Sequence, residues 1–185
     1  MFIRTERLFL RPGWPEDFDE LVQVVDDAAV ERSIGGPELP HTPAEVRSYL
    51  RRPRDVRLPH FLINLREEGG AKVIGSVGLA RAGAEVELSC WIVRGYQGQG
   101  YAAEAVRAVL TQARTLGYRR VIANDFSESS ASARILQQSG FKPSCEIGSP
   151  FQLARTQGRH ARRYVAVLAD KLADLVSVSR GAAHA

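Results

Sequence analysis

Apolar and polar residues change period repeatedly along the chain, and each change marks an expected element. Thr5-Glu6-Arg7-Leu8-Phe9-Leu10-Arg11-Pro12 alternates charged and apolar residues and stops at a proline, which predicts a first strand. Trp14-Pro15-Glu16-Asp17 then opens a helix, with proline suited to the first turn and two acids near the positive end of the dipole. Phe18, Leu21, Val22 and Val25 give that helix an apolar stripe. Residues 35–40 read as a loop, and Thr42, Pro43 and Glu45 form a capping box that starts a second helix ending near 51–53. Runs 61–66 and 72–79 predict a hairpin turning through Glu67-Glu68-Gly69-Gly70, and 85–93 predicts a further strand. Residues 100–116 place Ala102, Ala105, Val109, Ala113 and Leu116 at helical spacing before a stop at Gly117. A strand over 120–124, a helix over 129–139 ended by Gly140, and a strand entered at Phe141 come next. After a polar turn at Gln157-Gly158, a last strand over 163–168 runs into a short helix. Hairpins followed by βαβαβ imply an α/β fold with a mixed sheet in one domain, residues 1–176, with a disordered tail over 177–185.

Composition narrows the function classes. The 185 residues are 44% hydrophobic and 25% charged, as in a globular protein with one core. Charges at Arg4, Glu6 and Arg7 interrupt what a signal peptide would need as an apolar run, and no stretch reaches membrane-spanning length, so a cytoplasmic protein is expected. Cys90 and Cys145 are too few and too far apart for a disulfide framework. The four histidines, His41, His60, His160 and His184, show no metal spacing, and no metal is expected. The net charge of +4 suits an anionic ligand. The arginines are scattered without aromatic interleaving or a recognition-helix pattern, so nucleic acid is not the expected partner.

The sharpest signal lies between the strand at 85–93 and the helix that follows. Gln97-Gly98-Gln99-Gly100-Tyr101-Ala102 puts glycines at a strand-to-helix turn, where backbone can approach a ligand. The first-turn amides of the helix have no intrahelical acceptor and, with the dipole, favour pyrophosphate. A P-loop would need Gly-Lys-Ser/Thr, which is missing. The dinucleotide fingerprint is a rival, since Gly98-x-Gly100-x-x-Ala103 satisfies it and Asp125 stands where a ribose-binding acid would. That fingerprint follows its strand directly and needs several βα units downstream, and neither condition is met here.

The stretch from Glu87 to Ala105 resembles the coenzyme-A-binding segment of the GNAT N-acetyltransferases, including their Gln/Arg-x-x-Gly-x-Gly/Ala core. Three more pieces fall in the family's order: residues 5–12, Ile74-Gly75-Ser76-Val77-Gly78-Leu79, and residues 132–141, Ser-Ala-Arg-Ile-Leu-Gln-Gln-Ser-Gly-Phe. The resemblance covers about residues 1–168 and is closest to the branch that acetylates the N-termini of ribosomal proteins (RimJ/RimL-like). It implies a bent mixed sheet whose strands at 85–93 and 120–125 splay apart, with acetyl-coenzyme A in the gap. Pantetheine would pair with the backbone of Trp91, Ile92 and Val93. Pyrophosphate would sit on the amides from Gly98 through Gln99, Gly100 and Tyr101 to Ala102, beside the Gln97 side chain.

On the strand, Glu85, Glu87, Ser89 and Trp91 share one face. Glu87 aligns with the family's base or water-holding glutamate, and Glu85 is the other acid on that face. Where many members have a tyrosine that protonates the leaving thiolate this chain has Leu136; the ribosomal-protein branch has a serine, here Ser132, which is otherwise a helix-start hydroxyl. Ser129 stands where an asparagine usually contacts coenzyme A, Cys90 replaces a common tyrosine and Ala103 a common threonine. The implied reaction is direct transfer of acetyl to a primary amine, a peptide N-terminus or a small amine, in a ternary complex. A non-catalytic acyl-coenzyme-A-binding regulator on the same fold is the alternative. Arg155, Arg159, Arg162 and Arg163 near the expected acceptor pocket argue against polycationic acceptors.

Overall fold

The computed structural model describes residues 1–26, 34, 40, 42–53, 55–67, 70–125, 130–144 and 162–168. Ser129, the turn at 157–158, the helix expected after the last strand and the tail from 177 lie outside the described residues. Strand β1 (Ile3–Arg4) and strand β2 (Leu8–Arg11) lead into a 3-10 turn, Pro15–Asp17, and helix α1 (Phe18–Asp26). Helix α2 (Pro43–Arg51) opens on the expected box: the Glu45 N–H donates to the Thr42 hydroxyl at 3.2 Å and the Thr42 N–H to the Glu45 carboxylate at 3.1 Å. The hairpin is β3 (His60–Glu67) and β4 (Gly70–Ala82), followed by β5 (Glu85–Ile92), α3 (Tyr101–Thr115), β6 (Arg120–Asp125), α4 (Ser130–Gln138), β7 (Lys142–Pro143) and β8 (Arg162–Val167).

The strands form one eight-stranded sheet in the order β1-β2-β3-β4-β5-β6-β8-β7. Every neighbouring pair is antiparallel except β5 with β6. A single parallel pair rules out the doubly wound sheet of the dinucleotide reading. Alternation divides the apolar residues between two faces. Leu88, Cys90 and Ile92 pack with Ala105, Val106 and Val109 of α3 and Leu136 of α4, whereas Leu62 and Trp91 pack with Leu21 of α1 and Val46 and Leu50 of α2. The piece Gly75-Ser76-Val77-Gly78 is glycine-rich for a packing reason: a Cβ at Gly75 would overlap the Trp91 carbonyl, and one at Gly78 would overlap the His60 ring.

β5 and β6 are eight and six residues long yet share one register pair, Glu87 with Ile122. Beyond it they part. Ile34 enters the opening and bridges Cys90 on one side and Asp125 on the other. Its N–H donates to the Cys90 carbonyl at 2.9 Å, and the Cys90 N–H donates back at 2.8 Å.

Candidate functional site

The turn after β5 is built by glycines in a conformation other residues avoid. Gly98 has φ 77° and Gly100 has φ 84°, both left-handed. Gly100 caps α3, and the first intrahelical bond runs from the Glu104 N–H to its carbonyl at 3.1 Å. The amides of Tyr101, Ala102 and Ala103 precede that bond and so have no intrahelical acceptor. A Cβ placed on Gly98 would meet nothing within 4 Å, so the space over the turn is open.

The N-terminal motif holds this helix end in place. The Thr5 hydroxyl donates to Glu104 Oε1 at 2.6 Å, the Arg7 N–H to the same oxygen at 2.9 Å, and Arg7 Nε to Oε2 at 2.8 Å. Arg7 also donates to the Gln99 carbonyl at 2.9 Å and lies over the Tyr101 ring, 4.6 Å from its centre. Burial pushes the Glu104 carboxyl up, but the Thr5 hydroxyl and the Arg7 amide and guanidinium outweigh it, so the group stays below its ordinary 4.5.

A cleft of about 250 Å3 opens between this turn, the end of β5 and α4. It brings together Trp91, Ile92, Gln97, Gly98, Gly100, Tyr101, Ala102 and Ser132 of the expected residues, and adds Ile34, Cys90 and Arg134. Gln99 and Val93 stand outside it. The Gln99 side chain donates to the Gly95 carbonyl at 3.2 Å; the Val93 N–H goes to the Ile74 carbonyl and its own carbonyl accepts from Tyr96, both at 2.9 Å. Gln97 donates to the Ile92 carbonyl at 2.8 Å, so its amide braces the turn. Cys90 presents its backbone to Ile34 and Val93 presents its N–H to β4, so by alternation Ile92 turns its N–H toward the gap. The free strand backbone is therefore narrower than the run from Trp91 to Val93. Burial pushes the Cys90 thiol up to about 12, which leaves it protonated at neutral pH and unfit as an acyl carrier.

Glu87 lies on the opposite face, 5% exposed, and accepts a 2.8 Å hydrogen bond from Asn124 Nδ2. Glu85 is engaged differently. Arg163 Nη2 donates to both its oxygens at 2.6 Å, and Arg120 lies at 3.4 Å. Arg162 lies 3.5 Å from the Asp125 carboxylate. Two of the four arginines weighed against polycations are thus paired with acids, and Arg155 and Arg159 lie outside the described residues. Among the described residues no three His, Cys, Asp or Glu side chains converge as metal ligands, and no helix is long and apolar enough to cross a membrane.

A mixed sheet with one splayed parallel pair, and a glycine turn opening a helix beside the splay, is the arrangement of an acyl-coenzyme-A-dependent transferase fold. The sequence matches the Acetyltransferase (GNAT) domain over residues 7–142, and the chain belongs to the GNAT acetyltransferase family. The GNAT acetyltransferase from Bacillus anthracis superposes with a TM-score of 0.68 at 19% identity, covering 91% of this chain and 99% of that one. An acetyltransferase from Agrobacterium tumefaciens gives 0.68 at 23% identity, covering 89% and 93%. RimL, a ribosomal-protein alpha-N-acetyltransferase solved with coenzyme A, gives 0.65 at 17% identity, covering 92% and 100%. These likenesses establish the fold. No curated protein sequence matches the chain. The family uses acetyl-coenzyme A.

Proposed function

We propose that the chain is a cytoplasmic N-acetyltransferase of the RimJ/RimL-like branch that moves acetyl from acetyl-coenzyme A to a primary amine, a peptide N-terminus or a small amine. One observation carries this reading: the open amides of Tyr101–Ala103, the empty space over Gly98 and the buried Ser132 meet in a single cleft beside the splay. Such a cradle suits pyrophosphate, because unpaired amides and the helix dipole both favour an anion. The residues therefore fit the co-substrate, and when bound it supplies the acetyl group as a thioester.

The chain's own residues then have distinct tasks. The amides of Tyr101, Ala102 and Ala103 hold the pyrophosphate, while the Ile92 N–H, turned toward the gap, orients the pantetheine arm. A terminal ammonium has an ordinary pKa near ~8 and must lose a proton before attack. Glu87 accepts that proton, directly or through a water, while Asn124 Nδ2 holds one of its carboxylate oxygens. Ser132, which lines the cleft with Ile34, donates to the departing sulfur.

Isothermal calorimetry with acetyl-coenzyme A, followed by a thiol-release screen of short peptides, amino-acid-like amines, spermidine and kanamycin, tests the reading. Binding plus sustained thiol release with a peptide or small amine is the expected result. Binding with no release across the whole panel would hand the chain to the regulator alternative, which no observation here favours.

A further inference from the structure

The face that carries Glu87 also carries a hydrogen-bonded chain that the reaction has not used. Ser76 donates to the Phe61 carbonyl at 2.9 Å. The Tyr49 hydroxyl, reaching down from α2, lies 3.0 Å from the Ser76 hydroxyl and 2.7 Å from His60 Nδ1. Three contacts must share the available hydrogens. The Ser76 proton is spent on Phe61, so the Ser76–Tyr49 contact needs the Tyr49 proton, and the Tyr49–His60 contact then needs a proton on Nδ1. These contacts are satisfied together when the neutral imidazole carries its proton on Nδ1 and leaves a lone pair on Nε2.

Geometry gives that lone pair a direction. The Cγ–Cδ2 edge of the ring lies against Gly78, which has no side chain to keep it away, and Nε2 adjoins Cδ2. Gly78 pairs with Ser89 and Ala80 with Glu87 across β4 and β5, while His60 pairs with Gly78 from the other side. Between His60 and Glu87 the sheet therefore carries only Gly78, Ala80 and Ser89. His60, Ala80 and Ser89 all keep partial exposure although they sit within the sheet, so the space above them is a hollow. The backbones that carry His60 and Glu87 stand two strand spacings apart, on the order of 10 Å, and their side chains reach over Gly78 and Ala80 from either side.

We propose that this hollow is the acceptor subsite and that His60 Nε2 accepts a hydrogen bond from the incoming amine across from Glu87. Resting on the acetyltransferase reading, it names a residue that selects the acceptor's nitrogen. His60 receives and Glu87 deprotonates: burial and the Arg52 charge push the imidazole down to about 4, too weak a base to keep a proton taken from an amine. A lone-pair acceptor favours the charged N–H donors of a primary ammonium over a quaternary ammonium of equal size, which has none.

Two measurements test it. Long-range proton–nitrogen NMR on uniformly labelled protein should show His60 protonated at Nδ1 and bare at Nε2. Titration with trialanine or n-propylamine should move the Nε2 signal, whereas N-acetylated trialanine should not. An Nε2–H tautomer, or an Nε2 signal that neither amine moves, overturns the inference. In kinetics, His60→Phe should raise the KM for the amine about 10- to 100-fold, the size expected for one hydrogen bond to a charged group, and leave acetyl-coenzyme A affinity unchanged. His60→Gln, which puts an acceptor oxygen near the Nε2 position, should recover much of that loss. Equal KM values in the Phe and wild-type proteins sink the assignment. Loss of acetyl-coenzyme A binding in the wild type would instead sink the acetyltransferase reading, while the tautomer result would stand by itself.

Discussion

Placing a side chain on Gly98 separates the cradle from the fold more cleanly than any other substitution at the turn. Gly98 has φ 77° with nothing within 4 Å of a would-be Cβ. Asparagine tolerates this region better than other side chains, so Gly98→Asn should cost about 1 kcal/mol in backbone strain. For a chain of this length that lowers Tm by about 2–4 °C. The amide side chain would fill the space where pyrophosphate is proposed to lie. Displacing two charge-assisted hydrogen bonds at about 1.5–3 kcal/mol each weakens acetyl-coenzyme A binding by roughly 10²–10⁴-fold. Gly117→Asn is the matched control: Gly117, at the far end of α3, has φ 86° and equally open space. Calorimetry should find the same small loss of Tm in both variants and weakened binding only in Gly98→Asn. If Gly98→Asn, still folded, binds within about threefold of wild type, the pyrophosphate does not sit on this turn and the assignment of the cleft fails.

The remaining predictions follow from individual contacts. Glu87→Gln keeps the Asn124 contact sterically possible but removes the proton acceptor, so kcat should fall about 10²–10⁴-fold with acetyl-coenzyme A affinity unchanged; a loss under threefold would move the role to water alone. Ser132→Ala should lower kcat about 10- to 100-fold, most with poorly nucleophilic amines, and an unchanged kcat would leave the hydroxyl as a helix-start group. Glu104 has a folded-state pKa below 4.5, so its contribution to stability is present above that value and is lost as the pH falls beneath it. Urea midpoints should therefore drop faster on acidification in wild type than in Glu104→Gln, and parallel acid limbs would refute the clamp. Cys90→Ala should retain acetyl transfer within about threefold, because a thiol held protonated carries no acyl group.

Much of this architecture was legible because it depends on local chemistry. The Thr42–Glu45 box and the positive φ at Gly98, Gly100, Gly117 and Gly140 are properties of short sequences, and pattern reading finds them. β1 was missed because two residues carry no period; Ile3–Arg4 forms a strand only because β2 offers Leu10 and Phe9 as partners. The Thr5–Arg7 piece was recognised as a signature, but its reason lay 97 residues away in Glu104. Ile34 is the clearest case. A single residue joins Cys90 and Asp125 across the splay, and nothing in an isolated isoleucine signals that contact. His60 was considered only as a metal ligand, because its relay is assembled from three separate segments.

Charge shows the same limit in a form that bears on the acceptor. Counting arginines gave a basic pocket, but a charge acts through its partners and its distance to solvent. Arg163, 8% exposed at the side chain, is held against Glu85 at 2.6 Å, and Arg162 lies 3.5 Å from Asp125. Neither side chain presents an isolated cation to an approaching amine. What the described part of that face offers is one imidazole, the buried Glu87 carboxylate beside Asn124, a second carboxylate, Glu85, already held by Arg163, and a floor of small residues. Such a surface would bind one ammonium and lacks the several acids that a polycation needs to replace its hydration. Discrimination against polyamines therefore rests on a shortage of carboxylates rather than on repulsion. A shortage of attraction is screened little by salt, whereas repulsion between exposed charges fades within a Debye length of about 8 Å at physiological ionic strength. The preference for a single amine over spermidine should accordingly persist when salt is raised, and a preference that collapses in high salt would restore the repulsive arginines.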